Sequence, residues 1–217
     1  MNVAASASAK QGYLDGGDLA SIFLWLRPND LIWPYVVNNW LLGKDPPAFD
    51  ILYWNADTTR MPAALHRDFL AISTANAMCR PGEVTVLGSP VDLGSITADC
   101  YVMAGAVDHI SPWQNCYRTT QLLGGRTRFV LSTSGHIAAI VNPPGNQRAS
   151  YRTAGEQVPS DPAQWEELAT TRQGTWWTDW EEWLAERSGG LRPAPAALGN
   201  RRHTLVGAAP GEYVLEK

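Results

Sequence analysis

The sequence has few cysteines that could cross-link the chain or bind zinc. Its three cysteines, Cys79, Cys100 and Cys116, form no CxxC pair and no Cys/His spacing typical of a zinc site. The N-terminal MNVAASASAK lacks the apolar stretch of a secretory signal, and no apolar run is long enough to cross a bilayer. These absences favour a reduced, cytoplasmic protein with no membrane span.

Basic residues are also scarce, since the chain has 17 Lys and Arg against 21 Asp and Glu and a net charge of −4. Binding to a phosphate backbone depends on a basic surface, so this balance argues against nucleic acid as a partner. Tryptophan, in contrast, is abundant, with ten residues in 217. That much aromatic surface must pack inside the protein, line a cleft or contact a partner.

Residues 1–95 are predicted to form short helices joined by irregular turns. The first firm helix is DGGDLASIFLWL, with Asp18 as its N-cap and apolar residues at helical spacing. Prolines divide the stretch that follows, where PAALHRDFLAISTANAM is the one longer helix that the pattern predicts. The apolar face of that helix carries Leu65, Phe69 and Ile72. We interpret residues 1–95 as a cap, or lid, over a site.

After Gly82 the pattern changes to that of an α/β core. EVTVLG is a short β-rich run, Cys100–Ala104 a buried strand that ends at Gly105, SPWQNCYRTTQLL a helix and TRFVLSTSGH the next strand. A strand, a helix and a strand in this order predict a right-handed parallel crossover. Because ligands bind beyond the carboxyl ends of parallel strands, we interpret residues 96–145 as the core segment that carries the site.

Residues 146–217 are predicted to form C-terminal helices and an extended tail. Residues 145–175 are polar and indicate a surface excursion, in which DPAQWEELATTR forms a helix. A second helix, WWTDWEEWLAERSG, is stopped by Gly189 and Gly190.

Asp108 and His136 follow the two predicted parallel strands and are candidates for acid–base chemistry. A carboxylate that accepts a hydrogen bond from an imidazole fixes its tautomer and stabilises the imidazolium that forms when the base takes a proton. In the α/β-hydrolase order of nucleophile, acid and histidine, the last two come from successive strand ends. Alternatively, Asp108 caps a helix that begins near Pro112 and His136 is a turn residue, and the spacing leaves both interpretations open.

Several longer motifs carry a resemblance to a known family. In order along the chain they are RPNDLIW, VNNWLLGKDPPAFDILYWNADTTRMP, VDHISPW, SGHIAAIVNPPGN and WWTDWEEWL. From about Gly12 to its end, the chain resembles the C-terminal half of polyhydroxyalkanoate (poly-3-hydroxybutyrate) synthases of class I or II. The resemblance implies an α/β fold class, namely the C-terminal part of an α/β-hydrolase fold with an inserted cap (lid).

The resemblance also implies an activity. Synthases of this family are acyltransferases that polymerise (R)-3-hydroxyacyl-CoA into polyester with a Cys–His–Asp triad. By the resemblance, Asp108 is the triad acid and His136 the general base, and no metal or organic cofactor is needed because the thioester supplies the driving force. The implied partners are the acyl-CoA, the growing polyester and the surface of cytoplasmic polymer granules. The complete enzyme is implied to be a homodimer joined through the cap.

The nucleophile does not carry over from the family. In the family it lies in a G-x-C-x-G box, and no such box occurs here. A nucleophile elbow needs a sharp turn from strand to helix between small neighbours, and none of the three cysteines has that context. We therefore expect the three thiols to be structural, as small buried apolar groups, the nucleophile to lie outside this chain, and the chain alone to be inactive.

The other histidines and the aromatic residues of the cap have expected roles as well, and two alternative functions stay open. His109, next to the acid, is expected to support the site structurally, and His66 and His203 are expected at the surface. Five aromatic residues of the cap either line an acyl-CoA channel or dimer face or form the cap core: Trp33, Tyr35, Trp40, Tyr53 and Trp54. One alternative function is a non-catalytic module that pairs with full-length synthase or polymer granules. Another is a hydrolase with a different nucleophile, which the absence of G-x-S-x-G disfavours.

The triad interpretation makes a geometric prediction. A carboxylate oxygen of Asp108 should lie about 2.6–3.2 Å from a ring nitrogen of His136. The other ring nitrogen should face a cleft.

Overall fold

The computed structural model describes residues 2–26, 28–46, 57–146, 148–208 and 211–212. The chain divides into two compact units. The first consists of Met1–Asn76 with Pro195–Lys217, and the second of Ala77–Ala194. The predicted division into cap, core and C-terminal parts at residues 95 and 145 stays a prediction.

The first unit is mainly helical. Its helices are α1 (Asn2–Gln11), α2 (Gly16–Leu26), α3 (Pro28–Leu31), α4 (Trp33–Tyr35), a π-helix (Val36–Leu41) and α5 (Ala63–Ala75). Two very short strands, β1 (Tyr13–Leu14) and β2 (Met61–Pro62), pair antiparallel. The short helices and irregular turns predicted for this part of the chain are confirmed.

Helix α5 is confirmed, but its apolar face is not the face that it buries. Leu65 and Phe69 are exposed, whereas His66 is buried. The reason is α1, a helix that was not predicted: it packs on α5, and Ser8 Oγ lies 2.8 Å from His66 Nδ1 in the contact. The prediction of a surface His66 is therefore wrong, while His203 is exposed as predicted.

The cap of α2 also differs from the prediction. Asp18 lies inside the first turn of the helix, and Asp15 Oδ1 accepts the N–H of Gly17 at 2.9 Å instead. The apolar residues of α2 have the predicted helical spacing, yet the helix buries none of its side chains. A helix with so many apolar side chains is normally covered by other parts of a protein.

Three of the five cap aromatics are exposed. The exposed fractions are 52% for Trp33, 42% for Tyr35 and 85% for Trp40. The interpretation of these three as cap core is therefore wrong. Tyr53 and Trp54 lie outside the described residues.

The second unit is built on a mixed four-stranded sheet. Its strands are β5 (Cys100–Gly105), β6 (Thr127–Ser132), β7 (Ser150–Thr153) and β8 (Thr170–Gln173), in that order across the sheet. Strands β5 and β6 are parallel, as predicted, and the other pairs are antiparallel. Before the sheet, the predicted β-rich run forms a hairpin of β3 (Thr85–Val86) and β4 (Ser89–Pro90).

Four helices accompany this sheet: α6 (Trp113–Arg118), α7 (His136–Ile140), α8 (Pro162–Leu168) and α9 (Trp176–Ser188). Alternate residues of the strands belong to two apolar clusters, because successive side chains of a strand point to opposite faces of the sheet. One cluster contains Ala104, Tyr117, Phe129, Leu131 and Trp165. The other contains Val130, Tyr151 and Trp176, with Tyr101 and Met103 packed against it. The parallel strands are thus covered on both faces, as in α/β proteins.

The prediction of a surface excursion over residues 145–175 is wrong. This stretch supplies β7 and β8, which pair antiparallel beyond β6. The strands are polar because β8 is exposed along its whole length and β7 buries only alternate residues. The predicted helix in DPAQWEELATTR ends at Leu168, where β8 follows, and the predicted α9 is confirmed with Gly189 just after its end.

Within the described ranges, no helix combines the length and apolar character needed to cross a membrane.

Candidate active site

Asp108 and His136 lie at the same edge of the sheet. Strands β5 and β6 are parallel neighbours, and their last residues, Gly105 and Ser132, are paired in register. Asp108 follows β5 in a turn, and His136 follows β6 as the first residue of α7. Parallel pairing therefore brings together two residues that are distant along the chain.

The two side chains are hydrogen-bonded. His136 Nδ1 lies 2.8 Å from Asp108 Oδ2, which agrees with the predicted distance. Asp108 Oδ1 accepts the backbone N–H groups of Ile110 and Ser111, each at 2.9 Å. The Asp108 side chain is 8% exposed and that of His136 is 41% exposed. The carboxylate is thus fixed by three donors, while the imidazole remains accessible.

These contacts keep the Asp108 carboxyl ionised. Burial alone would raise its pKa, but hydrogen bonds from the Ser111 N–H, the His136 ring and the Ile110 N–H bring that pKa below the ordinary value. A carboxylate can only accept, so Nδ1 of His136 must carry the shared hydrogen. In the neutral ring Nε2 is then an acceptor, which is the tautomer that a general base requires.

Asp108 caps a turn rather than a helix. Helix α6 begins at Trp113 behind Pro112, and its N-cap makes no side-chain hydrogen bond. Oδ1 of Asp108 instead stabilises the turn formed by residues 108–111. One carboxylate oxygen therefore holds the loop in place and the other holds the imidazole.

Gly105 allows the two loops to approach each other. A Cβ at this position would lie 2.6 Å from the Ser134 carbonyl oxygen, 2.9 Å from Ala139 Cβ and 3.4 Å from Asp108 Cβ. The first two distances are shorter than van der Waals contact. A glycine at the end of β5 is therefore required by the close packing of β5 against the loop and helix that carry His136.

The three cysteines occupy different surroundings. Cys100 begins β5 and donates to the Ala98 carbonyl, at the end of the strand opposite to Asp108. Cys116 lies on α6 with its Sγ 3.7 Å from the Ser111 carbonyl oxygen. Burial, followed by the charge of Asp108, raises the pKa of the Cys116 thiol. That shift favours the thiol over the thiolate, the form that attacks. Cys79 is exposed in a short 3-10 helix, and Cys100 and Cys116 are only partly buried. The prediction that the three thiols are buried is therefore wrong.

Exposed apolar residues flank both members of the pair in the sequence. Val107, Ile110 and Ile137 are exposed beside Asp108 and His136 in the sequence. His109 is exposed as well. In the part of the chain that the structure describes, no group of three His, Cys, Asp or Glu side chains could hold a metal ion.

Comparison with known proteins identifies the fold family and its relatives. A family model of the alpha/beta hydrolase fold matches residues 1–143, which include both Asp108 and His136. Over all 217 residues, the chain is 49% identical to poly(3-hydroxyalkanoate) polymerase 1 of Ectopseudomonas oleovorans. It is 50% identical to polymerase 2 of the same organism, also over its full length. Over 97% of the chain it is 44% identical to the poly(3-hydroxyalkanoate) polymerase subunit PhaC of Cupriavidus necator.

The chain spans 36–39% of the length of these three relatives. The family match covers most of the chain, and the described sheet with its parallel pair and flanking helices agrees with it. The chain therefore belongs to the alpha/beta hydrolase fold family, and over its whole length it is similar to part of the poly(3-hydroxyalkanoate) polymerases.

Proposed function

We propose that the chain is the C-terminal part of a polyhydroxyalkanoate synthase and carries the acid and the general base of its catalytic triad. The observation that supports this most is the 2.8 Å contact between His136 Nδ1 and Asp108 Oδ2. It lies where the α/β-hydrolase order has its acid and histidine, in a chain similar to poly(3-hydroxyalkanoate) polymerases.

In the proposed reaction, His136 Nε2 takes the proton of a cysteine thiol that belongs to the rest of the synthase. The thiolate attacks the carbonyl carbon of (R)-3-hydroxyacyl-CoA, the bond from that carbon to the CoA sulfur breaks, and the imidazolium returns its proton to the leaving CoA. His136 then takes the proton of the 3-hydroxyl group of another unit. The hydroxyl oxygen attacks the carbonyl carbon of the enzyme-bound thioester, the bond from that carbon to the cysteine sulfur breaks as the ester forms, and the imidazolium returns its proton to the cysteine.

Asp108 acts through His136 in this proposal. Its lowered pKa makes the carboxylate a weak base, which disfavours direct removal of the hydroxyl proton. Both of its oxygens are also occupied by donors, one by His136 and the other by backbone N–H groups. The proposed role is therefore to fix the ring tautomer and stabilise the imidazolium, with His109 as a structural neighbour.

The nucleophile is proposed to lie outside the 217 residues. Cys100 is separated from Asp108 by the length of β5, and the pKa shift of Cys116 disfavours its thiolate. Neither follows a sharp strand-to-helix turn, and Cys79 ends a 3-10 helix. The chain alone is therefore proposed to be inactive.

The complete enzyme is proposed to be cytoplasmic, bound to polymer granules, and a homodimer joined through the cap. The exposed apolar side chains of α2, together with Trp33 and Trp40, support a contact of this part of the chain with other protein or with polymer. The same surface favours one alternative function, a non-catalytic module that pairs with full-length synthase or with granules. A hydrogen-bonded Asp–His pair has no purpose in such a module.

A chimera tests this proposal. The 217 residues replace the aligned segment of poly(3-hydroxyalkanoate) polymerase 1, to which they are 49% identical. CoA release from (R)-3-hydroxyacyl-CoA substrates of short and medium chain length is then measured by chromatography. We expect release by the chimera and none by the chain alone.

Cysteine variants of the chimera locate the nucleophile. Replacing Cys79, Cys100 and Cys116 together by alanine or serine should leave CoA release within about threefold of the parent chimera. Loss of release in the triple variant, regained when one of the three cysteines is restored, would place the nucleophile in this chain. A folded chimera without release would favour the binding module.

A further inference from the structure

The helix that carries His136 is too short to be stable without contacts to its neighbours. Helix α7 has five residues, His136–Ile140, which makes it about 7.5 Å long. Isolated helices of this length are unstable in water, because few hydrogen bonds offset the cost of fixing the backbone. The position of the His136 imidazole therefore depends on the contacts that α7 makes with neighbouring parts of the protein.

Helix α7 packs against the end of β5. Gly135 follows β6 and its carbonyl accepts the N–H of Ala139 at 2.7 Å. Ala139 in turn packs where a Cβ of Gly105 would lie. The packing of Ala139 on Gly105 fixes the helix relative to β5.

The C-terminal end is held by two adjacent tryptophans. Trp176 Nε1 donates to the Ala139 carbonyl at 2.7 Å, and Trp177 Nε1 donates to the Ile140 carbonyl at 2.9 Å. The last carbonyls of a helix have no partner within it, so these indoles supply bonds that the helix itself cannot make. Both tryptophans belong to the first turn of α9.

Thr175, the N-cap of α9, adds a third contact. Its hydroxyl donates to the Asn142 carbonyl and accepts the N–H of Trp177. Thr175 and Asn142 are both buried, as is Trp176. Three consecutive side chains, Thr175 to Trp177, therefore donate to the carbonyl oxygens of the last two residues of α7 and of Asn142 just beyond it.

We propose that Trp176 and Trp177 are positioning residues for the general base His136, an inference that rests on the proposed function of His136. They act through α7, because a shift of its C-terminal end moves the backbone of a five-residue helix as one body. In a reaction that depends on an aligned base, a displacement of about 1 Å can lower the rate about 100-fold.

Trp177→Phe is the most informative substitution. It removes the N–H donor and keeps an aromatic ring at a half-buried position, so that the fold should survive. Trp176→Phe tests the second donor at a buried position. Trp180→Phe is the matched control, because Trp180 lies on the same helix, packs against Trp176 with a centroid distance of 6.0 Å, and is not one of the donors to α7.

The first readout does not depend on polymerase activity. In the 217-residue chain labelled with ¹⁵N-histidine, NMR detects the Nδ1 proton that His136 shares with Asp108, assigned by its loss in His136→Ala. Trp177→Phe should accelerate exchange of that proton with water by about tenfold or more, the effect of one lost hydrogen bond. Trp180→Phe should leave the rate unchanged.

The second readout is the kinetics of the chimera with polymerase 1. Trp177→Phe should lower kcat about 10- to 100-fold with little change in KM, because only the base is misplaced. Trp180→Phe should stay within about threefold of the parent. An inactive parent chimera would count against the proposed function, while the exchange rates would still decide the positioning role.

The two donor variants decide the inference. Equal proton exchange in Trp177→Phe, Trp176→Phe and Trp180→Phe would overturn it. So would global unfolding of Trp177→Phe, since the indole would then be a general stabiliser. Faster exchange in the donor variants, at a thermal midpoint equal to that of Trp180→Phe, is the expected result.

Discussion

Replacing Gly105 with alanine should destabilise the second unit. The new Cβ would lie 2.6 Å from the Ser134 carbonyl oxygen and 2.9 Å from Ala139 Cβ. Neither neighbour is the flexible end of a side chain, so β5 or α7 must move, and overpacking of this kind costs about 1–3 kcal/mol. The lower entropy of the unfolded alanine chain offsets up to about 1 kcal/mol. We expect a net loss of about 1–2 kcal/mol in the free energy of unfolding.

The assay is thermal and urea unfolding followed by tryptophan fluorescence. A net loss of that size should lower the midpoint by about 2–8 °C for a chain of this length. Gly190→Ala is the matched control, because it lies in the same unit and its added Cβ meets no heavy atom within 4 Å. The control should stay within about 0.5 kcal/mol of the parent. A Gly105→Ala protein as stable as the control would refute the close approach of β5 and α7.

Two further predictions concern buried and ionised groups. Asp179 is 3% exposed, accepts the Tyr101 hydroxyl at 2.9 Å and pairs with Arg128 at 3.2 Å. Asp179→Ala leaves the mostly buried Arg128 without this carboxylate and should cost about 2–4 kcal/mol in urea unfolding, while Glu181→Ala on the exposed side of α9 should cost less than about 0.5 kcal/mol. The pKa of Asp108 is lower in the folded protein than in the unfolded chain, so its contribution to stability is present above the unfolded value of about 3.9 and is lost as the pH falls through the folded value. Unfolding measured over acidic pH should show a shallower decline for Asp108→Asn, and an unchanged decline would contradict the assigned hydrogen bonds.

The parallel strand pair and the proximity of Asp108 and His136 were predictable from the sequence. The crossover is indicated by two apolar β-runs with a helix between them. Because β5 and β6 are parallel, their C-terminal ends bring Asp108 and His136 together. Helix α9 was predictable for the same reason, since its boundary signals lie within its own residues.

Other features depend on contacts between residues that are distant in the sequence. Strands β7 and β8 are short and polar, and only pairing with β6 makes them strands. His66 is buried because α1 covers that face of α5, which the pattern of α5 alone cannot indicate.

Gly105 and the two tryptophans that contact α7 also depend on contacts between residues that are distant in the sequence. The sequence alone does not distinguish Gly105 from any other glycine at a strand end. Its requirement follows from the packing of Ser134 and Ala139 against it. The WW pair of WWTDWEEWL indicates hydrogen bonding in addition to core packing, because a buried indole N–H needs an acceptor. The acceptors, the carbonyls of α7, follow only from the structure.

We propose that His136 is the general base of a synthase whose nucleophile lies outside the 217 residues. The most direct test compares His136→Ala with His109→Ala in the chimera with polymerase 1, with CoA release from (R)-3-hydroxyacyl-CoA as the measurement. We predict that His136→Ala lowers kcat at least about 1000-fold, the scale on which triad residues act, and that the exposed neighbour His109→Ala stays within about threefold. Equal activity of the two variants, in chimeras that are equally folded, would show that His136 is not the general base.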